Sequence, residues 1–179
     1  PYQNLGGMET AGVDVTFDWG FEALGGNMHF NSVVNFLDYF RDQADPKAAK
    51  IDRTGTLSGL NGSPGGNYDY RIYTTLSYAR GDWTVGLRNT YLPAIHDAAY
   101  ATNPATTIRD ADSYTNFALF GSYMYNKHVS VRGGVDNLFD KDPVIVGYNP
   151  GVTNAKGSTN PGFYDPIGRR YYVGFDINF

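Results

Sequence analysis

The feature that most restricts the possible folds of this chain is the regular alternation of its last ten residues. An apolar set alternates one by one with a more polar set, and the two sets are Tyr171, Val173, Phe175, Ile177 and Phe179 against Arg170, Tyr172, Gly174, Asp176 and Asn178. Because successive side chains of a β-strand point to opposite faces, this pattern predicts a strand with one apolar and one polar face.

The same period of two recurs along the chain and predicts about seven strands, each of roughly the 9 to 11 residues that a tilted membrane strand needs. In the first of them, Val13, Phe17 and Trp19 share a face, opposite Asp14 and Asp18. The other predicted strands are the segments 28–37, 71–78, 83–91, 116–123, 129–136 and 170–179. The sequence therefore predicts an all-β, antiparallel fold.

The connections between these strands alternate strictly between short and long. The short ones are 20–26, 80–82 and 126–127, and the long ones, rich in Gly, Pro, Asn and Asp, are 41–69, 93–111 and 138–168. Outer-membrane barrels have short periplasmic turns and long extracellular loops. We therefore predict a transmembrane β-barrel segment in the outer membrane, facing lipid on one side, with its C-terminus at the periplasmic side.

Composition agrees with a membrane barrel and disfavours the other classes of membrane and soluble protein. The chain has 16% aromatic residues but a mean hydropathy of -0.40, and no run of about 18 apolar residues that could form a membrane helix. We expect the aromatic residues to form two interfacial belts. The predicted belt residues are Trp19, Phe30, Tyr78, Trp83, Tyr123 and Phe179 on the periplasmic side, and Phe36, Phe40, Tyr91 and Tyr171 on the outer side. A soluble β-sandwich gives no reason for the short and long connections to alternate.

Several kinds of chemistry find no support in the sequence. The chain has no cysteine and a net charge of -4, which argues against disulfides, thiol catalysis and nucleic-acid binding. His29, His96 and His128 stand far apart, and none has a partner at metal-ligand spacing. The acidic stretch 136–142 lacks the glycine and glutamate of a calcium loop. We predict no enzyme activity and no cofactor, metal or catalytic site.

Two segments near the C-terminus resemble the C-terminal end of TonB-dependent receptors. They are 135–143, which reads VDNLFDKDP, and 160–174, which reads NPGFYDPIGRRYYVG. Segments 12–14 and 82–85 are similar to the barrel of the same family in a less specific way. The terminal strand ending in Phe179 resembles the signal that the barrel-assembly machinery recognises, a feature shared by most outer-membrane barrels.

The resemblance implies that residues 1–179 are the C-terminal part of a barrel of about 22 strands that surrounds a plug domain. Neither a plug nor the box that binds TonB is found in this sequence, so contact with TonB would be made by other parts of the receptor. The implied activity is import of a scarce small-molecule ligand of the iron-siderophore, cobalamin or oligosaccharide class.

The sequence assigns no residue to ligand binding. The inward-facing arginines Arg71, Arg88, Arg132 and Arg170 have two readings. In the first, they hydrogen-bond acidic groups of a plug or line a water-filled lumen. In the second, they pair locally with Asp14, Asp18, Asp136 and Asp176.

Two alternatives remain open. The first is an autonomous small barrel with a structural, adhesive or pore role, although an odd strand number argues against it. The second is an outer-membrane hydrolase, which would require a histidine and a nucleophile together at the barrel rim. The neighbours His96 and Asp97 are the only residues that suggest it.

Overall fold

Ten strands and one short 3-10 helix form the regular structure of this protein in a computed structural model, which describes residues 6–57, 66–148 and 156–178. Phe179 lies outside these residues. The strands are β1 Gly7–Ala23, β2 Gly26–Gln43, β3 Ile51–Asp52, β4 Tyr70–Arg80, β5 Trp83–Leu92, β6 Tyr114–Asn126, β7 Val129–Asp136, β8 Val146–Tyr148, β9 Lys156–Ser158 and β10 Arg170–Ile177, and the helix is Ala98–Ala101. The described residues hold no helix that is both long and apolar enough to cross a membrane.

Seven long strands pair in the order β1-β2-β4-β5-β6-β7-β10, and all of these pairs are antiparallel. The short strand β3 pairs with β2, and β8 and β9 form a separate hairpin. Within the described part of the chain, β1 and β10 each have one neighbouring strand, so the sheet is an open wall. The predicted all-β, antiparallel barrel segment of about seven strands is confirmed.

Short turns join the strands at one end of the wall, the turn end, and long connections join them at the other, the loop end. The turns are the dipeptides 24–25, 81–82 and 127–128, so the alternation predicted from sequence is present. Gly25 and Gly81 adopt φ of 73° and 57°, which glycine reaches without a steric penalty. The first, second and third loops are the segments 44–69, 93–113 and 137–169.

The first hairpin is longer than the sequence pattern predicted. β1 and β2 have 17 and 18 residues, whereas a tilted membrane strand needs about 9 to 11. The strands extend at both ends, because residues 20–23 and 26 of the predicted connection 20–26 belong to them. At the loop end, β3 extends the pairing and Arg41 bonds Asp52 over 3.2 Å. Lys50 also pairs with Glu9 there. Charged residues at the loop end of this hairpin are therefore paired with one another.

A bulge in this hairpin changes which side chains face inward. Gly12 pairs with Leu37 but Ala11 pairs with Tyr39, which leaves Asp38 as the extra residue. Beyond the bulge, Phe40 lines a concavity on the polar face together with Arg71. The prediction that Phe40 belongs to the outer aromatic belt was wrong, because a single extra residue shifts the alternation by one position.

The two faces of the wall differ as the alternation predicted. The outer face is apolar. Its large exposed side chains include Val13, Val15, Phe17, Trp19, Phe36, Leu76, Trp83, Val85, Leu119, Tyr171, Val173, Phe175 and Ile177. Aromatic rings cluster near both ends, with Trp83 on Tyr123 at 4.3 Å and Tyr70 between Phe36 and Tyr91 at 6.3 and 6.1 Å. Tyr70 is absent from the predicted belt because it stands where the first loop ends. So large an apolar surface marks a face that contacts a membrane or another protein.

Candidate functional site

The fully buried side chains lie at the loop end rather than within the wall. We call this group of residues the loop-end cluster, and it consists of Leu57, Tyr68, Leu92, Ile95, Ala111, Tyr114 and Tyr164, with Val144, Val146 and Phe163 packed against it. Its members come from all three loops and from strands β5 and β6. The loops therefore share one core, which a single wall of strands cannot provide.

Three tyrosines hold the first and third loops together. The Tyr68 and Tyr164 hydroxyls hydrogen-bond at 2.6 Å, and the Tyr164 ring packs edge-on against Tyr114 with centroids 5.3 Å apart. Burial raises the pKa of the Tyr68 phenol, and its hydrogen bond to Tyr164 raises it further. Burial also raises the pKa of the Tyr164 phenol. Both hydroxyls are therefore neutral donors and acceptors at physiological pH.

Backbone hydrogen bonds join the first loop to the second. Leu57 N–H donates to the His96 carbonyl at 2.8 Å, and His96 N–H donates to the Gly55 carbonyl at 3.0 Å. The His96 ring stacks on Tyr100 at 3.9 Å and bonds Asp110, not its neighbour Asp97, at 2.7 Å. These contacts give His96 a role in fixing the second loop.

The two segments that carry the family resemblance contact each other in the third loop. Asn137, buried and with φ of 50°, accepts from the Lys141 N–H at 2.7 Å and donates to the Lys141 carbonyl at 3.0 Å. The tight turn so formed presents Asp140, whose carboxylate accepts the Arg169 N–H at 2.9 Å. The pairing of these segments in sequence therefore corresponds to a structural junction between the end of β7 and the start of β10.

Two of the four inward arginines make ion pairs with the aspartates considered from sequence. Arg170 lies 3.7 Å from Asp136, and Arg132 lies 3.7 Å from Asp176. Arg170 also bonds Asp165 of the third loop at 3.1 Å, a partner that the strand pattern does not predict.

The other two arginines are placed differently. The guanidinium of Arg88 lies over the ring of Phe120, 4.9 Å from its centroid. Arg71 lines the concavity described below. Of the remaining aspartates, Asp14 accepts from Asn35 at 2.7 Å, and Asp18 lies 3.0 Å from both His29 and Asn31. The charged side chains of the inner face therefore interact with close neighbours, and the first hairpin contributes the acidic residues Asp14 and Asp18.

A concavity of about 480 Å³ lies on the inner face where the wall meets the loop-end cluster. Its polar lining includes Asp14, Asn35 and Arg71, and its apolar lining includes Phe40 and Tyr68. Pockets that bind small molecules combine an apolar lining with a few convergent polar groups in this size range. This loop-end concavity is the candidate ligand surface, and it could not be found by sequence because the bulge and the first loop create it.

The described residues hold no group of three or more His, Asp or Glu side chains placed to bind a metal ion. His128 lies in the turn 127–128, where its backbone N–H donates to the Asn126 side chain at 2.8 Å. The His128 ring hydrogen-bonds the Asn178 carbonyl at 2.9 Å.

This chain is similar to a known protein family and to a solved structure. A model of the family described as TonB dependent receptor-like, beta-barrel, matches residues 1–138 of the 179. The matched structure is a mutant of the ferric enterobactin receptor of Pseudomonas aeruginosa, with 15% identity and a TM-score of 0.48. The match covers 94% of this chain and 31% of that chain, so this chain spans about a third of the length of that receptor.

Proposed function

This chain belongs to the family of TonB-dependent receptor-like β-barrels, and on that premise we propose that it forms part of the wall of a receptor that imports a scarce ligand. The observation that carries the proposal is the wall itself, apolar on its outer face and polar on its inner face, with packed loops at one end. Receptors of this family are outer-membrane transporters, so the prediction that the chain is not an enzyme is confirmed.

We place the outer face of the wall against the lipid of the outer membrane. The loop end then faces the cell exterior and the turn end, with the C-terminus, faces the periplasm. The support is the strict alternation of short turns and long loops, which is characteristic of bacterial outer-membrane barrels. In this orientation the loop-end concavity opens toward the side from which a ligand arrives.

The imported ligand belongs to the iron-siderophore, cobalamin or oligosaccharide class that the resemblance implies. Import would draw on TonB through a plug domain, with residues 1–179 as the C-terminal part of the barrel. The open wall supports this arrangement, because strand edges inside a bilayer need hydrogen-bonding partners that lipid cannot supply.

The last strand would also direct assembly of the barrel. Phe179 lies outside the described residues, but Asn178 is tied to the turn 127–128, since its N–H donates to the His128 carbonyl at 2.8 Å. We expect deletion of Phe179 to lower the amount of receptor inserted into the outer membrane, measured in membrane fractions. Unchanged insertion would contradict a role in recognition by the assembly machinery.

The experiment that tests the proposed function is the mass of the denatured protein in its native outer membrane, detected through a peptide of this sequence. A mass several times 19.7 kDa supports the proposal. A mass near 19.7 kDa contradicts it and favours the autonomous small barrel.

A further inference from the structure

The last strand of the wall, β10, is joined to its partner β7 through the third loop rather than through a turn. Each of the other long strands is joined to a neighbour by one of the short turns, 24–25, 81–82 or 127–128. A short turn fixes the register of the strands that it joins, whereas a long loop leaves the register open. The register of β10 must therefore be set by contacts other than a turn.

The alternation of side chains restricts this register but does not settle it. A shift of β10 by one residue would turn Arg170 and Asp176 toward the outer face, where lipid disfavours charge. A shift by two residues keeps Tyr171 and Phe175 on the outer face, because side chains in a strand alternate with a period of two. In the observed register Phe175 pairs with Val131. Specific contacts must therefore distinguish this register from its two-residue shifts.

The first such contact is made by the carboxylate of Asp140, which accepts the Arg169 N–H at 2.9 Å, one residue before β10 begins. Asp140 has a left-handed backbone with φ of 55°, and its own N–H donates to the Asn137 carbonyl at 2.9 Å. The Leu138 N–H donates to the Phe117 carbonyl of β6 at 2.7 Å, which ties this turn to the wall. The acceptor for Arg169 is therefore held by the end of β7 and by β6.

The segment that enters β10 fits closely against this acceptor. Gly168 has φ of 82°, and a Cβ atom there would lie 3.0 Å from the Asp140 carboxylate. The Asp165 side chain, only 12% exposed, bonds Arg170 at 3.1 Å. Because Arg170 is the first residue of β10, the contact between Asp140 and Arg169 fixes where the strand starts along β7.

A second contact acts within the strand itself. Tyr172 pairs with Gly134, and a Cβ atom on Gly134 would lie 2.5 Å from the Tyr172 hydroxyl. The tip of the tyrosine ring therefore occupies space that is free because residue 134 has no side chain. A two-residue shift would place Tyr172 opposite Arg132 or Asp136, whose side chains would fill that space.

We propose that Asp140 and Tyr172 are positioning residues that select one register of β10 on β7 while the receptor assembles. This inference rests on the barrel wall of the proposed function and not on import. A last strand shifted by two residues would offer its other edge to the rest of the barrel out of register, and strand number and stagger are linked in a closed barrel. Selection of the register therefore limits how much receptor is assembled.

Disulfide trapping in the complete receptor measures the register, with any cysteine outside this chain replaced. The pair Val131→Cys and Phe175→Cys reports the observed register. Val131→Cys combined with Val173→Cys or with Ile177→Cys reports the two-residue shifts, because diagonal neighbours lie about 7 to 8 Å apart, beyond the reach of a disulfide. Membranes are oxidised briefly, and mass spectrometry of peptides gives the ratio of shifted to observed cross-links. Heat-modifiable mobility in gels gives the assembled fraction.

Substitutions at residue 140 separate the hydrogen-bond acceptor from the backbone conformation. Asp140→Gly suits the left-handed backbone but removes the acceptor, whereas Asp140→Asn keeps both. We expect Asp140→Gly to raise the ratio of shifted to observed cross-links about tenfold, the usual effect of losing a hydrogen bond to a charged group. It should also lower the assembled fraction. Adding Tyr172→Ala should raise the ratio further, and Asp140→Asn should restore most of the observed register.

The matched control is Asp45→Gly, because the Asp45 carboxylate also accepts a backbone N–H, that of Lys47 at 2.8 Å, in an exposed loop far from β10 in sequence. It should change neither readout.

Three outcomes would overturn the proposal. They are an unchanged cross-link ratio in the variant with both Asp140→Gly and Tyr172→Ala, a lower assembled fraction without a change in the ratio, and equal effects of Asp140→Gly and Asp140→Asn. If the ratio changes as expected but the receptor imports no ligand, the proposed function fails and the positioning role stands.

Discussion

At the scale of single residues, glycine determines how closely the inner face can pack. The ring of Phe120 occupies the space that a side chain at residue 86 would need. Gly20, on the same face, has no such neighbour, because its nearest contact for an added Cβ atom is the Met28 carbonyl at 4.0 Å. A methyl group at residue 86 would therefore clash with the Phe120 ring, whereas one at residue 20 would meet no close neighbour, although both glycines lie within strands.

We expect Gly86→Ala to lower the free energy of unfolding by about 1 to 3 kcal/mol, the usual cost of overpacking. Gly20→Ala is the matched control and should change stability little. The midpoint of urea unfolding of the complete receptor, followed by tryptophan fluorescence, measures both. Equal effects of the two substitutions would contradict the ring placement.

Asn137 is a second residue whose identity the fold requires. It combines a left-handed backbone with two hydrogen bonds to Lys141 and is almost fully buried. Asn137→Ala should cost about 1 to 3 kcal/mol, because it removes both bonds from a buried position. Asn137→Gly suits the left-handed backbone but also lacks the side chain, so it should remain destabilised. The rate of protease cleavage in the third loop reports the effect, and an unchanged rate in both variants would show that these bonds do not hold the loop.

At the scale of elements, the loops differ from the usual picture of independent surface segments. The first and third loops meet through Tyr68 and Tyr164, and the first and second through the backbone of Leu57 and His96. Because one core serves all three, loosening one loop should loosen the others.

The loop-end cluster should weaken at high pH. The pKa values of Tyr68 and Tyr164 are raised in the folded state, so the unfolded state releases its protons first. The stabilisation is complete below the unfolded value of about 10 and is lost as the pH rises above it. Thermal midpoints of the receptor from about pH 8 to about pH 11 should fall, and less steeply in Tyr68→Phe. A parallel fall in both proteins would contradict the tyrosine contribution.

At the scale of the whole molecule, the wall has one polar and one apolar face and two unlike ends. In the proposed orientation the second loop is outside the cell and the turn 127–128 is periplasmic. A membrane-impermeant biotin maleimide should therefore label Ala105→Cys on intact cells. It should label Lys127→Cys only after the outer membrane is opened. The reverse pattern would invert the orientation.

Proteolysis of intact cells offers a second view of the same orientation. Protease should cut within 41–69 or 138–168 and spare the short turns. Because parts of these loops belong to the loop-end cluster, cleavage should favour their exposed stretches, such as the one around Asp45. Cleavage only at the turns would contradict the proposed orientation.

The sequence by itself determined the strands, their two faces and the alternation of turns and loops. These are local properties, because the alternation of side chains in a strand depends on neighbouring residues and an apolar face needs an apolar medium. Trp83 and Val85, for example, face outward as their spacing predicts.

Only the tertiary structure decided the bulge that turns Phe40 inward, the junction of Asp140 with Arg169, and the loop-end cluster. Each depends on pairs distant in sequence, such as Tyr68 and Tyr164, which are 96 positions apart. The tertiary structure also decided that Phe120 lies over Gly86 and Tyr172 over Gly134, since the register between strands sets which side chain lies over which glycine. Local pattern carries no information on such pairs, because their energies depend on the packing that the whole fold creates.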